Sequence, residues 1–362
     1  MPFSLPEYRE PDFAAAPLAA APECATAPAP AHGVAPDNFH ATTIYPEYFK
    51  IGGQWVLAHE SRMDCVAVVR GADVSVVEFR NLKQGDAVVL GRSEDGREGI
   101  LVHAAGFAGE QALREAFVFR TGRTRETSYS RDYDTLYELL RFEKDHGRIV
   151  WVLGPAVSFD SDSRNAMVSL IEAGFVHAVL AGNALATHDV EGAVFKTALG
   201  QDIYTQASCP GGHYHHLDVL NRVRRAGSLR AFMESGPAPD GIMAACLRAG
   251  VPVVLAGSIR DDGPMPEVIA DVYAAQDAMR EHACRATTMI SLATQLHAIA
   301  SGNMTPAYQV VNGRVRPVYI YTVDISEFAV NKLRDRGSLE VTSIVTNVQD
   351  FLVNLKRNLI GA

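Results

Sequence analysis

Three segments of the sequence set small residues beside carboxylates, imidazoles or amides at spacings that could hold a small molecule and move its protons. Ala181–Asp189 (AGNALATHD) offers Asn183 and Ala184 ahead of His188 and Asp189. Ala256–Pro264 (AGSIRDDGP) sets Arg260, Asp261 and Asp262 inside a Gly/Pro-bounded loop. Thr322–Ile325 (TVDI) closes an apolar run on Asp324. Adjacent carboxylates push one another's pKa apart, leaving one as a base near neutral pH, and a neighbouring arginine can clamp a carboxylate substrate bidentately. The same charges also suit a solvated ion-pair loop. Small residues let a flat cofactor approach the backbone, and free amides at a helix start can hold a pyrophosphate. A carboxylate directly after a strand is where dinucleotide folds hold a ribose diol, although Asp324 could equally cap a helix beginning near Glu327.

Histidines add two further candidates. Gly211–His216 (GGHYHH) carries His213, His215 and His216, which could ligate zinc, touch a substrate or cofactor, or simply open a helix on a solvent-facing turn. His297 lies among small residues in Ser291–Gly302 (SLATQLHAIASG), on a predicted helix, where it either moves protons or packs as a core histidine. Other chemistries are excluded. There is no G-x-S-x-G, H-E-x-x-H or G-x-G-x-x-G, and the cysteines (Cys24, Cys65, Cys209, Cys246, Cys284) form no C-x-x-C pair. This removes an activated-Ser or activated-Cys hydrolase, a zinc ribbon and a disulfide framework; no metal is expected.

The elements that must position these residues follow from hydrophobic periodicity. After Gly147, strand-length apolar runs recur at Ile149–Leu153, Val176–Leu180, Val251–Leu255, Thr288–Leu292, Val318–Val323 and Thr342–Val345. Amphipathic helix-length stretches separate most of them: Ser163–Ala173, His216–Ala226, Ile242–Ala249, Pro266–Glu281 and Glu327–Arg336. Strands apolar on both faces and joined by helical crossovers predict an α/β, Rossmann-like parallel sheet. In such sheets ligands bind outside the carboxyl ends of the strands, near a switch in strand order. The candidate segments all stand at those ends, with Gly154-Pro155-Ala156 and Thr346-Asn347-Val348 beside them.

The amino-terminal part differs. Residues 1–36 are Ala/Pro-rich and read as a disordered arm. Residues 37–125 carry short β-type runs (Trp55–His59, Asp64–Arg70, Asp73–Phe79, Ala87–Leu90, Gly99–Val102) punctuated by turn pairs, predicting a small mainly β domain. Asp132–His146 reads as an amphipathic helix opening the catalytic domain, residues 126–362. A formal net charge of -9 spread along 362 residues gives no case for nucleic acid or an anionic membrane. No apolar run is long enough to span a bilayer and the start lacks a secretory pattern, so a cytoplasmic protein acting on a small molecule is expected.

The stretch from Asn38 to Leu359 resembles the archaeal-type ornithine cyclodeaminases, a family with a LOR/SDH conserved domain and a deoxyhypusine-synthase-like NAD fold. The matching motifs are Arg62-Met63-Asp64-Cys65, Ala181–Glu191, Gly211–His216, Leu255–Pro264, Leu296–Pro306 and Asp335–Ser338. The resemblance implies bound NAD and a redox-neutral conversion of L-ornithine to L-proline and ammonia: a hydride leaves the amino-bearing carbon, the second amine attacks the imine, and the hydride returns. It implies cofactor contacts at Asn183, Ala184, Asp262, Thr294, His297, Asp324, Asn347 and Val348. The chemistry is expected of Asp262, Asp261, His297 and Arg260, with Arg62 reaching from the small domain to hold the substrate carboxylate. A homo-oligomer, dimer or tetramer, is expected. Another diamino acid, such as lysine or diaminobutyrate, is the alternative substrate. Departures from the family pattern are Asp324-Ile325-Ser326-Glu327 in place of D-I-N-P, Asn347 within Thr346-Asn347-Val348 in place of T-D-V, and an additional segment near Tyr308–Pro317.

Overall fold

A computed structural model describes residues 3–107, 130–235, 240–259, 261, 263–326 and 338–361. In the amino-terminal part the strands are β1 (Ala25–Pro28), β2 (Glu47–Ile51), β3 (Gln54–Leu57), β4 (Val66–Arg70), β5 (Asp73–Val77), β6 (Ala87–Leu90) and β7 (Ile100–Val102). They form two antiparallel sheets, β1-β6-β4-β5 and β3-β2-β7. Strand alternation sends Ala67 and Val89 to one apolar cluster with Phe49 and Ile100, and Val66, Val68 and Val88 to another.

The disordered arm expected over residues 1–36 is overturned for the residues described. Ala25 lies opposite Leu90 and Pro28 opposite Ala87, so β1 edges the first sheet. The Tyr8 hydroxyl meets that of Tyr48 at 2.8 Å, and the Phe3 ring lies 5.4 Å from Phe142 and 5.7 Å from Tyr319. Composition misled because proline's extended bias, which opposes a helix, suits an edge strand where the missing amide faces outward.

The carboxyl-terminal part starts with α1 (Ser130–His146) and β8 (Ile149–Leu153), followed by α2 (Ser161–Glu172), β9 (Ala178–Gly182) and α3 (Asn183–Phe195). Next come a hairpin of β10 (Thr197–Ala198) and β11 (Gln201–Asp202), then α4 (His215–Ala226), α5 (Leu229–Ser235), α6 (Ile242–Ala249) and β12 (Val253–Ala256). The chain continues through α7 (Val272–Ala283), β13 (Thr288–Leu292), α8 (Gln295–Met304) and a second hairpin of β14 (Tyr308–Val311) and β15 (Arg314–Pro317). It ends on β16 (Tyr319–Asp324), β17 (Glu340–Val345) and α9 (Val348–Leu359). Six strands form one parallel sheet, β12-β9-β8-β13-β16-β17. In chain order this is 3-2-1-4-5-6, with the reversal between β8 and β13.

Helices cover both faces, which is why the apolar runs are continuous rather than alternating. Ile149, Trp151 and Leu153 of β8 enter one core and Val150 and Val152 the other. The expected strands and most helices are present with shifted ends. The helix expected at Pro266–Glu281 starts only at Val272, where the Asp271 carboxylate accepts the Ala274 amide at 2.7 Å and caps it. Of Ala181–Asp189, read from the sequence as a strand end, the part from Asn183 onward is already helix α3. The helix expected at Glu327–Arg336 lies outside the described residues. Tyr308–Pro317 is a hairpin turning at Asn312-Gly313, both left-handed, and it leads into the amino end of β16, away from the carboxyl edge. Its Arg316 is buried against Glu143 of α1. Among the described residues no helix is long and apolar enough to cross a membrane.

Candidate active site at the carboxyl edge of the sheet

The reversal in strand order opens a crevice between the ends of β8 and β13, and glycine makes it narrow. The Gly154 amide donates to the Leu292 carbonyl at 2.8 Å, and a Cβ on Gly154 would stand 1.9 Å from the Ala293 carbonyl oxygen. Ala293 itself is held left-handed at φ 47°, an unfavourable state for a residue with a Cβ. Directly after it, Thr294 begins α8 with no side-chain cap, and His297 lies on its first turn.

His297 crosses to the end of β9. Its Cε1 would be 2.9 Å from a Cβ on Gly182, so that glycine makes room for the ring. Burial pushes the imidazole below its ordinary pKa, opposed by the Asp261 charge, which places Asp261 electrostatically with it. Gly182 is also the N-cap of α3 and offers no side-chain cap, so among the described residues the first amides of that helix have no side-chain partner. Asn183 does not face outward freely: its Oδ1 accepts from the Met265 amide at 3.1 Å and the Thr187 hydroxyl at 3.3 Å, tying α3 to the loop after β12. Ala184 is exposed on the first turn. In the β12 loop Asp261 accepts the Ser258 amide at 2.7 Å, while Arg260 and Asp262 lie outside the described residues.

On the other side of the reversal is a cavity of about 360 Å³ lined by Phe159, Tyr204, Ala293, Asp324, Asn347 and Val348, among others. Asp324 spends Oδ1 on the Ser326 amide at 2.9 Å. Asn347 caps α9 by accepting the Gln349 amide at 2.8 Å. Asp160 and Asp162 add carboxylates to the wall. Carboxylates only accept, so this lining suits hydroxyl or ammonium donors. The structure thus brings Asp324, Asn347 and Val348 together, and separately groups His297, Asn183 and Asp261 across the reversal.

Arg62 is not brought to this edge. It is 5% exposed, its Nε and Nη2 donate to Glu78 Oε1 at 3.2 and 2.5 Å, and Nη1 donates to the Glu60 carbonyl at 2.7 Å. Arg280 of α7 shares the same carboxylate at 2.6 Å, near Cys284 on the approach to the amino end of β13. Where a substrate carboxylate was expected, Arg62 is engaged by Glu78 and the Glu60 carbonyl. The histidines of Gly211–His216 also part company. His215 stacks on Phe195 with centroids 4.5 Å apart and bonds Thr197 at 2.8 Å, His216 tilts over His188, and His213 lies beside Tyr214.

Two features were not singled out from the sequence. One is the left-handed Ala293. The other is a buried network from His188 through Glu191 and Thr197 to His215, all at 2.8 Å. Asp189, in the same motif, is structural: it accepts from Arg164 Nε at 2.7 Å and from the Ile242 and Met243 amides at 2.9 and 2.8 Å, capping α6.

Comparison with known proteins agrees with this architecture. Residues 135–355 match the family described as arginine dihydrolase ArgZ-like, C-terminal, Rossmann fold. The chain is 38% identical over 343 residues to the ornithine cyclodeaminase of Methanopyrus kandleri, covering 92% of this chain and 77% of that one. It superposes on a conserved LOR/SDH protein from Methanococcus maripaludis with a TM-score of 0.81 at 34% identity, covering 93% and 98% of the two chains. AgrE, the bifunctional arginine dihydrolase/ornithine cyclodeaminase of Nostoc, was crystallised with ornithine and NAD+. It matches with a TM-score of 0.59 at 34% identity, over 94% of this chain and 46% of that one.

Proposed function

The chain belongs to the ornithine cyclodeaminase family, and from that premise we propose that it is an NAD-dependent cyclodeaminase converting L-ornithine to L-proline and ammonia. The observation that carries the reading is the crevice at the reversal of a 3-2-1-4-5-6 parallel sheet, with Asp324, Asn347 and Val348 in one cavity beside it.

The residues present suit a dinucleotide. Gly154 lets the ends of β8 and β13 close together and Gly182 admits the His297 ring, and the uncapped start of α3 suits a pyrophosphate. The Asp324 oxygen that is unengaged among the described residues suits a ribose diol, and Asn347 and Val348 would border the same ligand. Thr294, His297, Asn183 and Ala184 would line the opposite side, with Asp261 beside them. Bound NAD+ would supply the hydride acceptor and donor; the protein supplies orientation, exclusion of water and proton control. The reading extends to a cytoplasmic homo-oligomer, and the unpaired state of all five cysteines supports a reducing compartment.

The test is incubation of the purified protein with L-ornithine and a catalytic amount of NAD+. Equimolar proline and ammonia without accumulating NADH are expected. Steady NADH formation would make the protein an ordinary oxidoreductase, and turnover of lysine or diaminobutyrate in preference to ornithine would move the substrate.

A further inference from the structure

His188, on the second turn of α3, has a side chain only 9% exposed, yet only one of its ring nitrogens is engaged. Nδ1 meets Glu191 Oε2 at 2.8 Å. Nε2 takes no hydrogen bond among the described residues, nor is it sealed from solvent. The ring stands edge-on to Phe159 with centroids 5.7 Å apart, and Phe159 lines the cavity that holds Asp324 and Asn347. His216, at the start of α4, tilts over it at 6.1 Å.

Glu191 has no exposed surface. Oε1 accepts from the Thr197 hydroxyl at 2.8 Å and the Gly200 amide at 3.0 Å, and Oε2 also receives the Leu199 amide at 3.2 Å. Burial opposes its charge, but the donors from His188, Gly200 and Thr197 outweigh burial and hold its carboxyl below the ordinary range. A fixed anion on Nδ1 keeps the proton there, leaves Nε2 as the acceptor, and stabilises the imidazolium once it forms. Among the described residues no carboxylate is hydrogen-bonded to the His297 ring.

On the cyclodeaminase reading above, we propose that His188, keyed by Glu191, accepts the proton of the substrate ammonium that becomes the imine. The ammonium N–H bond breaks and an Nε2–H bond forms. The freed lone pair makes the C=N bond as the carbon gives its hydride to the oxidised nicotinamide. The second ammonium loses one proton to solvent before attacking, and the ring nitrogen formed by the attack loses another to solvent. The imidazolium then returns its proton to the amine that leaves as ammonia, the ring-nitrogen lone pair forms the cyclic iminium, and the hydride returns to that carbon to give the amine, which takes up a proton from solvent. Glu191 is the positioning residue.

The bland account is that this network only pins the turn at Thr197–Gly200, ahead of the Tyr204 that walls the cavity. His188→Gln separates the two, because it leaves the Thr197, Leu199 and Gly200 bonds to Glu191 in place. Expected for His188→Gln in the full chain are unchanged NAD+ affinity by calorimetry, turnover lower by about 100-fold or more, and loss of the acidic limb of the pH–rate profile. Glu191→Gln should move that limb to lower pH. In the parent protein with NAD+, L-ornithine should shift the His188 imidazole resonances. A folded His188→Gln protein that keeps the parent's turnover overturns the proposal. If the parent binds NAD+ but turns over no diamino acid, the functional reading fails instead. The dyad then rests on the resonances, as it does if the variant fails to fold, and unshifted ones overturn it.

Discussion

Replacing Asp324 by alanine is expected to weaken NAD+ binding while leaving turnover at saturating NAD+ nearly unchanged. The size follows from how the carboxylate is already used. Oδ1 is committed to the Ser326 amide at 2.9 Å, so among the described residues a diol has one unengaged oxygen and a share of the other. One charge-assisted bond with a weaker second contact is worth about 2–3 kcal/mol, or roughly 30- to 150-fold in Kd. An opposing effect exists. Asp160 and Asp162 line the same cavity, and a pyrophosphate brings more negative charge, so removing a carboxylate relieves repulsion. At about 8 Å in a water-like dielectric that relief is near 0.5 kcal/mol and is screened further by salt, so the lost bonds win. Asp324→Asn keeps an acceptor for Ser326 and should lose less. Calorimetric titration of NAD+ into the parent and both variants measures this, with urea unfolding to confirm that each is folded. A folded Asp324→Ala protein with the parent's NAD+ affinity would refute the assignment of the ribose to this cavity.

Asp189→Ala should cost about 3–5 kcal/mol in urea unfolding, because it strips a charge from the nearly buried Arg164 and two amides from the start of α6; a loss below about 1 kcal/mol would class the pair with surface ion pairs. Gly182→Ala should lower turnover by about 10- to 100-fold by displacing the His297 ring, whose Cε1 would lie 2.9 Å from the new methyl. Unchanged turnover would remove His297 from the chemistry. Stability should fall on acidification. Burial first, then the Arg148 charge, lowers the pKa of His177 and of His282, and burial lowers that of His297 against Asp261. Below about pH 6.5 the unfolded chain takes up protons that the fold refuses, so the loss begins there and levels off at the depressed folded values. Urea midpoints between pH 8 and 5 test this, and a flat profile would contradict it.

The parallel sheet was legible because central strands must be apolar on both faces, and Ile149–Leu153 or Thr288–Leu292 cannot be read as amphipathic. Asp324 and Thr346-Asn347-Val348 were legible for the related reason that carboxyl ends are where such a sheet leaves polar groups unpaired. Arg62 was not, since nothing in a sequence says that Glu78, some sixteen positions away, will reach the guanidinium before any ligand does. The arm failed for a different reason: composition reports what resists a helix, but it cannot report that β6 has a free edge to receive Ala25–Pro28. The His188–Glu191 pair sits between these cases. Its spacing of three on a helix is visible, and such pairs usually face solvent, where they are worth little. Only the burial of Glu191 beneath three further donors makes it an oriented imidazole, and that burial comes from the turn at Thr197–Gly200 folding back on α3. Residues that stand at strand ends can therefore be read from one local pattern. Residues that act through a partner need the tertiary contact that selects the partner.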